Sequence, residues 1–306
     1  MGSISLEAAL SLRLAREHTS PVVTPYDLGV ALFALYEKRV YDDRKIAQLR
    51  TTHPKPDDVD QYRLRLLSTG VLENISKQRV NSVLCLLTAS AHKDASDIVC
   101  GLDSFCYLSH LSAMEYHGFT DRLPKTIFIT TLPNDLWRKA SIEKMSRDLG
   151  DASVELYYDL DMPPLQRHVV NPVRRMTVHT YSSKYAGSYI VPMARPIRVA
   201  SVGRTFLDML RKPDLCGGMG HVIDVYEQFA ADYLKLIVDE IERWGEPIEK
   251  VRAGYILETH ASVEGHPIVE SWTKFAQRGG SRKLDPSAGY EPRFSEKWCI
   301  STNVAR

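Results

Sequence analysis

The chain has 306 residues, of which 44% are hydrophobic and 25% charged, and its formal net charge is +1. This composition is typical of a globular protein with enough apolar material for a core, and it excludes a disordered or collagen-like chain. No apolar run approaches the ~18 residues that a membrane helix needs, and no signal-peptide pattern opens the chain. We therefore expect a cytoplasmic protein, divided into two domains.

The cysteines give no metal or disulfide pattern. They are an odd number, with no CxxC pair and no histidines at zinc-site spacing. We expect reduced, buried thiols, no metal and no cofactor. The residues are Cys85, Cys100, Cys106, Cys216 and Cys299.

The first 75 residues show a series of amphipathic helices. Helical spacing predicts helices over 5–18 and 26–39, the second opened by the capping pair Thr24-Pro25. An Asp42-Asp43 start favours a short helix over 44–49. Asp57 or Asp58 is placed to cap a further helix that runs to about Thr69 and is closed by Gly70.

A hairpin follows these helices. Val71-Leu72 and the apolar run 83–87 flank a polar turn at 76–79. The order helix, turn, helix, hairpin is that of a winged helix-turn-helix, in which the second helix of the pair lies in the DNA major groove. We therefore predict a DNA-binding domain over residues 1–95.

Side chains of the predicted recognition helix separate into two faces. One face is apolar, and the other carries the groups that would meet DNA. Gln61 and Arg65 are the candidates for base contacts, because glutamine pairs with adenine and arginine with guanine in bidentate fashion. The apolar face holds Val59, Tyr62 and Leu66, and the other face holds Gln61, Leu64, Arg65 and Ser68.

Lys77 and Arg79 lie at the tip of the predicted wing, where cations contact phosphates. A merely solvated hairpin is the alternative, since such turns are commonly charged. Asp57, Asp58 and Asp60 oppose DNA at the entry of the recognition helix unless they cap it.

A second group of cations follows in the middle of the chain. Residues 163–207 contain seven Lys or Arg and no acid, before an acidic stretch over 224–270. If the strands place Arg174, Arg175, Lys184 and Arg198 on one surface, their summed field would attract phosphate. Dispersal of the same charges over several edges is the alternative.

Beyond residue 95 the pattern mixes strands and helices, so we expect an α+β fold with a second domain over 96–306. A helix is predicted over 105–117, closed by Gly118. Alternation predicts strands over 125–131, 154–158, 176–181 and 189–192, and helical periodicity predicts helices over 205–210, 220–244 with a break, 246–257 and 269–276.

Two blocks of this second region resemble the AbiEi antitoxin family. The first runs from Tyr107 to Phe119 and is followed by the strand 127–131; the second, from Ser201 to Gly218, resembles the arginine-threonine-leucine-aspartate stretch and the proline-to-double-glycine turn of that family. Leu284-Asp285-Pro286 and Trp298 resemble its closing region. Val202-Gly203 departs from the family's commoner proline-glutamate pair. The resembling residues include Ser109, Ser112, His117, Gly118, Arg204, Thr205, Asp208, Gly217 and Gly218.

This resemblance implies a non-enzymatic antitoxin of a two-gene abortive-infection system. Such proteins repress their own promoter through an N-terminal winged helix on double-stranded DNA, which we expect to carry inverted repeats. Their toxin is a nucleotidyltransferase-like protein, and its neutralisation does not always need a stable complex. No membrane partner is implied.

The resembling residues could also have purely structural roles. Arg204 and Asp208 are four residues apart and suit an ordinary helical ion pair. Gly217-Gly218 suits a turn between helices, because no Lys-Ser or Lys-Thr follows it at P-loop spacing. His117, before Gly118, suits a hydrogen bond to helix carbonyls.

Two other classes of function remain as alternatives. Asp159 and Asp161 on a strand, with Gly187-Ser188, would suit a metal-dependent nucleotidyltransferase, but the Gly-Ser turn follows the acids in the chain and should precede them. Ser109, His117 and Asp121 lack the GxSxG context of a hydrolase. A plain transcription factor with a ligand-sensing second domain shares the winged helix and differs in lacking toxin neutralisation.

Overall fold

A computed structural model describes residues 2–75, 82–185, 187–277 and 282–304, which form an α+β fold. No helix within these ranges is both long and apolar enough to cross a bilayer. The helices are Leu6–Glu17 (α1), Pro25–Lys38 (α2), Pro56–Ser68 (α3), Ala95–Leu102 (α4), His110–Tyr116 (α5), Asn134–Leu149 (α6), Asp151–Asp159 (α7), Val202–Arg211 (α8), Met219–Phe229 (α9), Leu234–Trp244 (α10), Pro247–Thr259 (α11) and Pro267–Ser271 (α12), with 3-10 turns at Pro213–Cys216 and Trp272–Phe275. The strands are Ser3–Ile4 (β1), Val22–Val23 (β2), Val40–Tyr41 (β3), Arg44–Ile46 (β4), Leu72–Asn74 (β5), Cys85–Leu87 (β6), Tyr107–Leu108 (β7), Thr126–Thr131 (β8), Thr177–Ser182 (β9), Tyr189–Ile190 (β10), Val199–Ala200 (β11), Phe294–Ser295 (β12) and Ile300–Ser301 (β13).

The chain divides into two compact units, each built from separate stretches. Unit 1 comprises Met1–Cys106, Leu132–Arg175 and Pro192–Ile197, and unit 2 comprises Tyr107–Thr131, Met176–Val191 and Arg198–Arg306. The sequence suggests a single boundary at residue 95. In the structure, unit 1 continues to Cys106, and the chain returns to it after β8, at Leu132.

The first helices of unit 1 begin where their capping residues stand. The Ser5 side chain accepts a hydrogen bond from the amide of Ala8 at the start of α1. Thr24 and Asp27 form a reciprocal capping box at the start of α2, with Pro25 in the first turn. At α3 the Asp58 carboxylate accepts from the Lys55 amide at 2.8 Å. The three helices that the sequence predicts here are therefore confirmed.

Two small sheets accompany these helices. In the first, β6 lies between β2 and β5 and pairs antiparallel with both. In the second, β4 pairs antiparallel with β3 and parallel with β1.

The predicted short helix over 44–49 is wrong, because β4 and a loop occupy this stretch. Asp42 and Asp43 both have positive φ, 54° and 57°, which is the backbone of a two-residue hairpin turn and not of a helix start. Pairing of β4 with β1, about forty residues earlier in the chain, holds the hairpin and buries Ile46. This long-range pairing prevails over a weak local helix signal.

Helices α6 and α7 complete the core of unit 1. Trp137, Met145 and Tyr157 are buried with the apolar residues of α1 and α2. The Tyr157 ring lies so close to Gly29 that a Cβ there would overlap its hydroxyl, which donates to the carbonyl of Pro163 at 2.8 Å. The predicted strand over 154–158 is therefore wrong: Val154 and Tyr157, three residues apart, share a helical face that packs inward.

Unit 2 contains a five-stranded sheet in the order β10–β11–β7–β8–β9. Its longest pair, β8 and β9, runs parallel from Thr126↔Thr177 to Thr131↔Ser182, so the strands predicted over 125–131 and 176–181 are confirmed. The single helix predicted over 105–117 is wrong in its first part. Tyr107 and Leu108 pair with β8 and β11, and the helix begins only at His110.

The remainder of unit 2 is a helical core formed by α8 to α11, with Phe206, Tyr226 and Trp272 buried among aliphatic side chains. Trp298 is also buried, and its indole donates to Glu258 at 2.9 Å. The predicted helical stretch 220–244 is confirmed, with its break between α9 and α10.

Gly203 permits the close approach of α8 and α10. A Cβ at this position would overlap the backbone carbonyl of Leu236, which cannot move aside without shifting α10. We expect Gly203→Ala to lower the free energy of unfolding by about 1–3 kcal/mol, the usual cost of overpacking. Gly220→Ala is the matched control, since it lies in α9 with open space around its Cβ position, and there alanine should be neutral or stabilising. Urea unfolding of both variants measures the difference; equal stabilities would contradict the close-packing explanation.

Candidate functional site

The outward face of α3 carries the residues predicted to read DNA. Gln61, Leu64, Arg65 and Ser68 are exposed, whereas Val59 and Leu66 are buried and Tyr62 is half-buried. The division of this helix into an apolar and an outward face is thus as the sequence predicts. Leu64 is 58% exposed and adds an apolar group to the outward face.

The two arginines Arg63 and Arg65 of α3 differ in the contacts that they make with other residues. Arg63 is mostly buried, and it binds Asp60 at 3.1 Å and the carbonyl of Ser82 at 3.4 Å. Arg65 extends outward with its guanidinium 5.2 Å from the centre of the Tyr62 ring. Arg63 therefore has a structural role, and Arg65 remains available to a ligand.

The acids at the entry of α3 are partly neutralised. Asp58 caps the helix through the Lys55 amide, and Asp60 is paired with Arg63. These contacts reduce the repulsion that such acids would exert on a phosphate backbone. The Ser68 hydroxyl donates to the carbonyl of Arg65 at 2.8 Å, a bond within its own helix.

The remaining cationic candidates are distributed along the chain. Lys77 and Arg79 lie outside the described residues. Arg174 and Arg175 belong to unit 1 and have left-handed backbone angles, while Lys184 and Arg198 belong to unit 2. None of these four lies in a strand, so the strand-borne surface that the sequence suggests does not form in that way.

Other cations of the same basic stretch are paired with acids. Arg167 binds Asp103 at 3.3 Å, and Arg195 binds the fully buried Asp97 at 2.9 Å. The charge excess counted along the sequence is therefore larger than the excess left for a ligand.

The first block of the antitoxin resemblance forms β7, the turn at Ser109 and α5. The Thr130 hydroxyl donates to Ser109 Oγ at 2.8 Å, and Ser109 Oγ lies 2.8 Å from Nδ1 of His110. Ser109 Oγ therefore links Thr130 of β8 to the His110 ring at the start of α5. Ser112 Oγ accepts from the amide of Phe128 at 2.9 Å and ties α5 to β8.

The second block forms α8 and carries a buried ion pair. Arg204 Nε lies 2.9 Å from Asp208 Oδ1, and both side chains are at most 3% exposed. Burial by itself lowers the pKa of the Arg204 guanidinium, but Asp208, Tyr107 and Glu240 together outweigh this effect and raise that pKa. Thr205 donates to the carbonyl of Ser201, the N-cap of α8, at 2.9 Å.

Several buried polar atoms around this pair have no hydrogen-bond partner within the described part of the chain. They are Tyr107 Oη, His110 Nε2, Asp208 Oδ2 and Glu240 Oε1. The Asp208 carboxylate acts on both aromatic neighbours: together with burial it raises the pKa of Tyr107, and at His110 it partly opposes the effect of burial. A buried polar atom without a hydrogen bond costs about 1–3 kcal/mol, so these atoms are expected to lower the stability of unit 2.

His110 makes the stability of the protein depend on pH. Burial lowers the pKa of its imidazole to about 4, with Asp208 opposing the effect and Arg204, His179 and Lys212 adding to it. In the unfolded chain the imidazole binds a proton near pH 6.5. The folded state is therefore favoured above pH 6.5, and it loses stability as the pH falls from 6.5 towards 4.

We expect this loss to approach about 3 kcal/mol at pH 4. Denaturant unfolding between pH 7.5 and about pH 4, where the His110 pKa lies, tests it, with His110→Gln as the comparison. The difference in unfolding free energy between the two proteins should shrink as the pH falls. Parallel pH profiles would mean that His110 is not the titrating group.

Other residues of the resemblance have structural roles. His117 caps the end of α5, and its Nε2 lies 2.7 Å from the carbonyl of Ala200 on β11, not near a helix carbonyl. Gly118, Gly217 and Gly218 have φ between 72° and 92°, which favours glycine at these turns.

The residues considered for catalysis have other positions and hydrogen-bond partners than the catalytic alternatives require. Asp159 ends α7 and Asp161 follows it, so the strand that would hold both carboxylates is absent. Ser109 is bonded to His110, and His117 to Ala200. No group of three His, Cys, Asp or Glu side chains among the described residues is placed to hold a metal ion.

Sequence reasoning missed Tyr107, His110, Thr130 and Glu240 as members of the buried cluster. In the sequence they resemble ordinary strand and helix residues, and only their burial around Arg204 distinguishes them. Tyr107 and His110 lie in the first resembling block and Thr130 in the strand that follows it, but the resemblance gives none of them a role.

No family model matches this sequence, and no curated protein matches it. Among solved structures, the chain is similar to the Rv2827c protein from Mycobacterium tuberculosis. The TM-score is 0.49 at 14% sequence identity, over 95% of this chain and 89% of that chain.

Proposed function

We propose that the protein is a cytoplasmic, non-enzymatic DNA-binding autorepressor and the antitoxin of a two-gene toxin–antitoxin operon. The observation that carries the DNA-binding part is the outward face of α3. This helix follows α2 and precedes the pair β5–β6, and it directs Gln61 and Arg65 away from the core. Helix pairs followed by a hairpin use such a face to read the major groove.

The sheet of the same region supports the proposal. In a winged helix a strand between the first two helices joins the two wing strands, and here β2 pairs with β6, which pairs with β5. The protein would bind its own promoter at inverted repeats, as two copies spaced by a turn of DNA.

The antitoxin part rests on the sequence resemblance. Its two blocks, around Ser109 and Arg204, both belong to unit 2, where the first forms β7 and α5 and the second forms α8 and the 3-10 turn after it. A nucleotidyltransferase-like toxin would be the target, with or without a stable complex.

Binding of the full-length protein to the duplex immediately upstream of its coding sequence tests the first part. We expect binding that is tighter than to a scrambled duplex of equal length and that weakens as salt rises. Equal affinity for both duplexes would remove specific repression. Co-expression with the product of the neighbouring gene tests the second part, since an antitoxin restores growth.

A plain transcription factor with a ligand-sensing second domain is the second candidate. The unpartnered polar atoms around Arg204 favour it, because native proteins rarely leave buried polar groups unsatisfied without a role for them. This candidate predicts repression without any rescue of growth.

A further inference from the structure

The connection between α2 and α3 is a fixed element. It contains the β3–β4 hairpin, and β4 is held by parallel pairing to β1 through Ser3↔Lys45 and Ile4↔Ile46. The tip is tied to α1, because Asp42 lies 3.4 Å from Arg16 as well as 3.0 Å from Arg44. The β3–β4 hairpin is therefore held in a defined position relative to α1.

This connection carries an excess of positive charge. Residues 38–50 contain five Lys or Arg and two Asp. Asp42 is shared between two arginines, one of them outside the stretch, so it neutralises little of the excess. Arg39, Lys45 and Arg50 are exposed.

Arg39 has an unusual backbone conformation. It follows α2 with φ 53° and ψ 9°, the left-handed region in which helices usually place glycine. A side chain there strains the backbone, and such strain is often kept where a particular group is needed. Here the side chain that is kept is an exposed guanidinium.

The Arg39 side chain is directed to the segment that leads into α3. Its Nη2 donates to the carbonyl of Thr51 at 3.4 Å, which places it beside Arg50, the neighbour of Thr51 in the chain. Four residues later Lys55 precedes the first turn of α3. Arg50 is exposed in this same segment, so a second arginine stands next in the chain to the residue that Arg39 contacts.

We propose that Arg39 and Arg50 form a phosphate clamp that holds the DNA backbone next to the groove entered by α3. This inference rests on the proposed DNA binding and names contacts that position the protein without reading sequence. Guanidinium groups suit the role because their planar donors match phosphate oxygens. The clamp lies outside the predicted wing and outside the cations of residues 163–207.

The experiment compares the salt dependence of DNA binding for the full-length protein, Arg39→Gln/Arg50→Gln, and Arg138→Gln/Arg147→Gln. The control removes two exposed arginines from α6 of the same unit. The slope of log affinity against log salt should become shallower by roughly 2 in the clamp variant, since each phosphate contact contributes about 0.9. The control slope should equal that of the wild type.

Discrimination between the upstream duplex and a scrambled duplex should survive in the clamp variant, because its affinity for both falls together. If the wild type binds the DNA and the clamp variant has the same salt slope as the wild type, the clamp is overturned and the proposed DNA binding is not. No wild-type binding to either duplex overturns the proposed DNA binding, and the clamp with it.

Arg39→Gly separates a binding role from a structural one. Glycine accepts the left-handed backbone, so the thermal midpoint should stay the same or rise, while the slope becomes shallower by roughly 1. Loss of stability with an unchanged slope would identify Arg39 as a structural residue and overturn its part in the clamp.

Discussion

Replacing Gln61 and Arg65 together with alanine should remove specific recognition of the upstream DNA and leave weak, salt-sensitive binding. Each bidentate contact to a base contributes about 1–3 kcal/mol of discrimination. The two together therefore account for at least about 30-fold in specific affinity. Both side chains are exposed on α3, so the change should not affect folding.

The measurement is a titration of labelled upstream and scrambled duplexes with each protein at one fixed salt concentration. Gln166→Ala/Arg147→Ala is the matched control, because it removes the same two residue types from exposed positions of unit 1. Affinity for the scrambled duplex should change little in either variant. Retention of the wild-type preference by Gln61→Ala/Arg65→Ala would exclude the outward face of α3 as the reading surface.

Asp208→Ala should be strongly destabilising. It leaves the Arg204 guanidinium buried and unpaired, and breaking a buried ion pair in this way costs about 3–5 kcal/mol. The exposed pair Lys235–Asp239 is a natural control, since it has the same four-residue spacing on α10 with side chains 85% and 55% exposed. Asp239→Ala should cost less than about 1 kcal/mol.

The double variant Arg204→Met/Asp208→Leu distinguishes the cost of an unpaired charge from the value of the pair. Replacing both charges with apolar groups is often neutral or stabilising, so this variant should be more stable than Asp208→Ala. Urea unfolding of the four proteins measures all these differences. A double variant less stable than Asp208→Ala would mean that the pair itself stabilises unit 2.

The helices α1, α2 and α3 were predicted from capping residues and helical periodicity and are present in the structure, so local sequence is enough to specify them. Ser5, Thr24 and Asp58 stand where capping requires them, and helical periodicity fixes which side of α3 is buried. These features depend on residues within one or two turns of each other. The same holds for the strand over 125–131 and for the break between α9 and α10.

Tertiary contacts determine the secondary structure of two stretches for which the sequence-based prediction was wrong. The stretch 44–49 becomes part of a hairpin because Ser3 and Ile4 pair with β4. The stretch 154–158 becomes a helix because Tyr157 packs beneath Gly29 of α2. In both cases short segments with weak local preference adopt the conformation that a distant partner stabilises.

The candidate sites divide in the same way. The sequence by itself determined that Gln61 and Arg65 face outward, because periodicity along one helix is enough for that. It could not determine that Arg63 is held by Asp60 while Arg65 is available, nor that Arg204 and Asp208 are buried among unpartnered polar atoms. Burial and the choice of ion-pair partner depend on which distant segments meet, and only the tertiary structure brings those segments together.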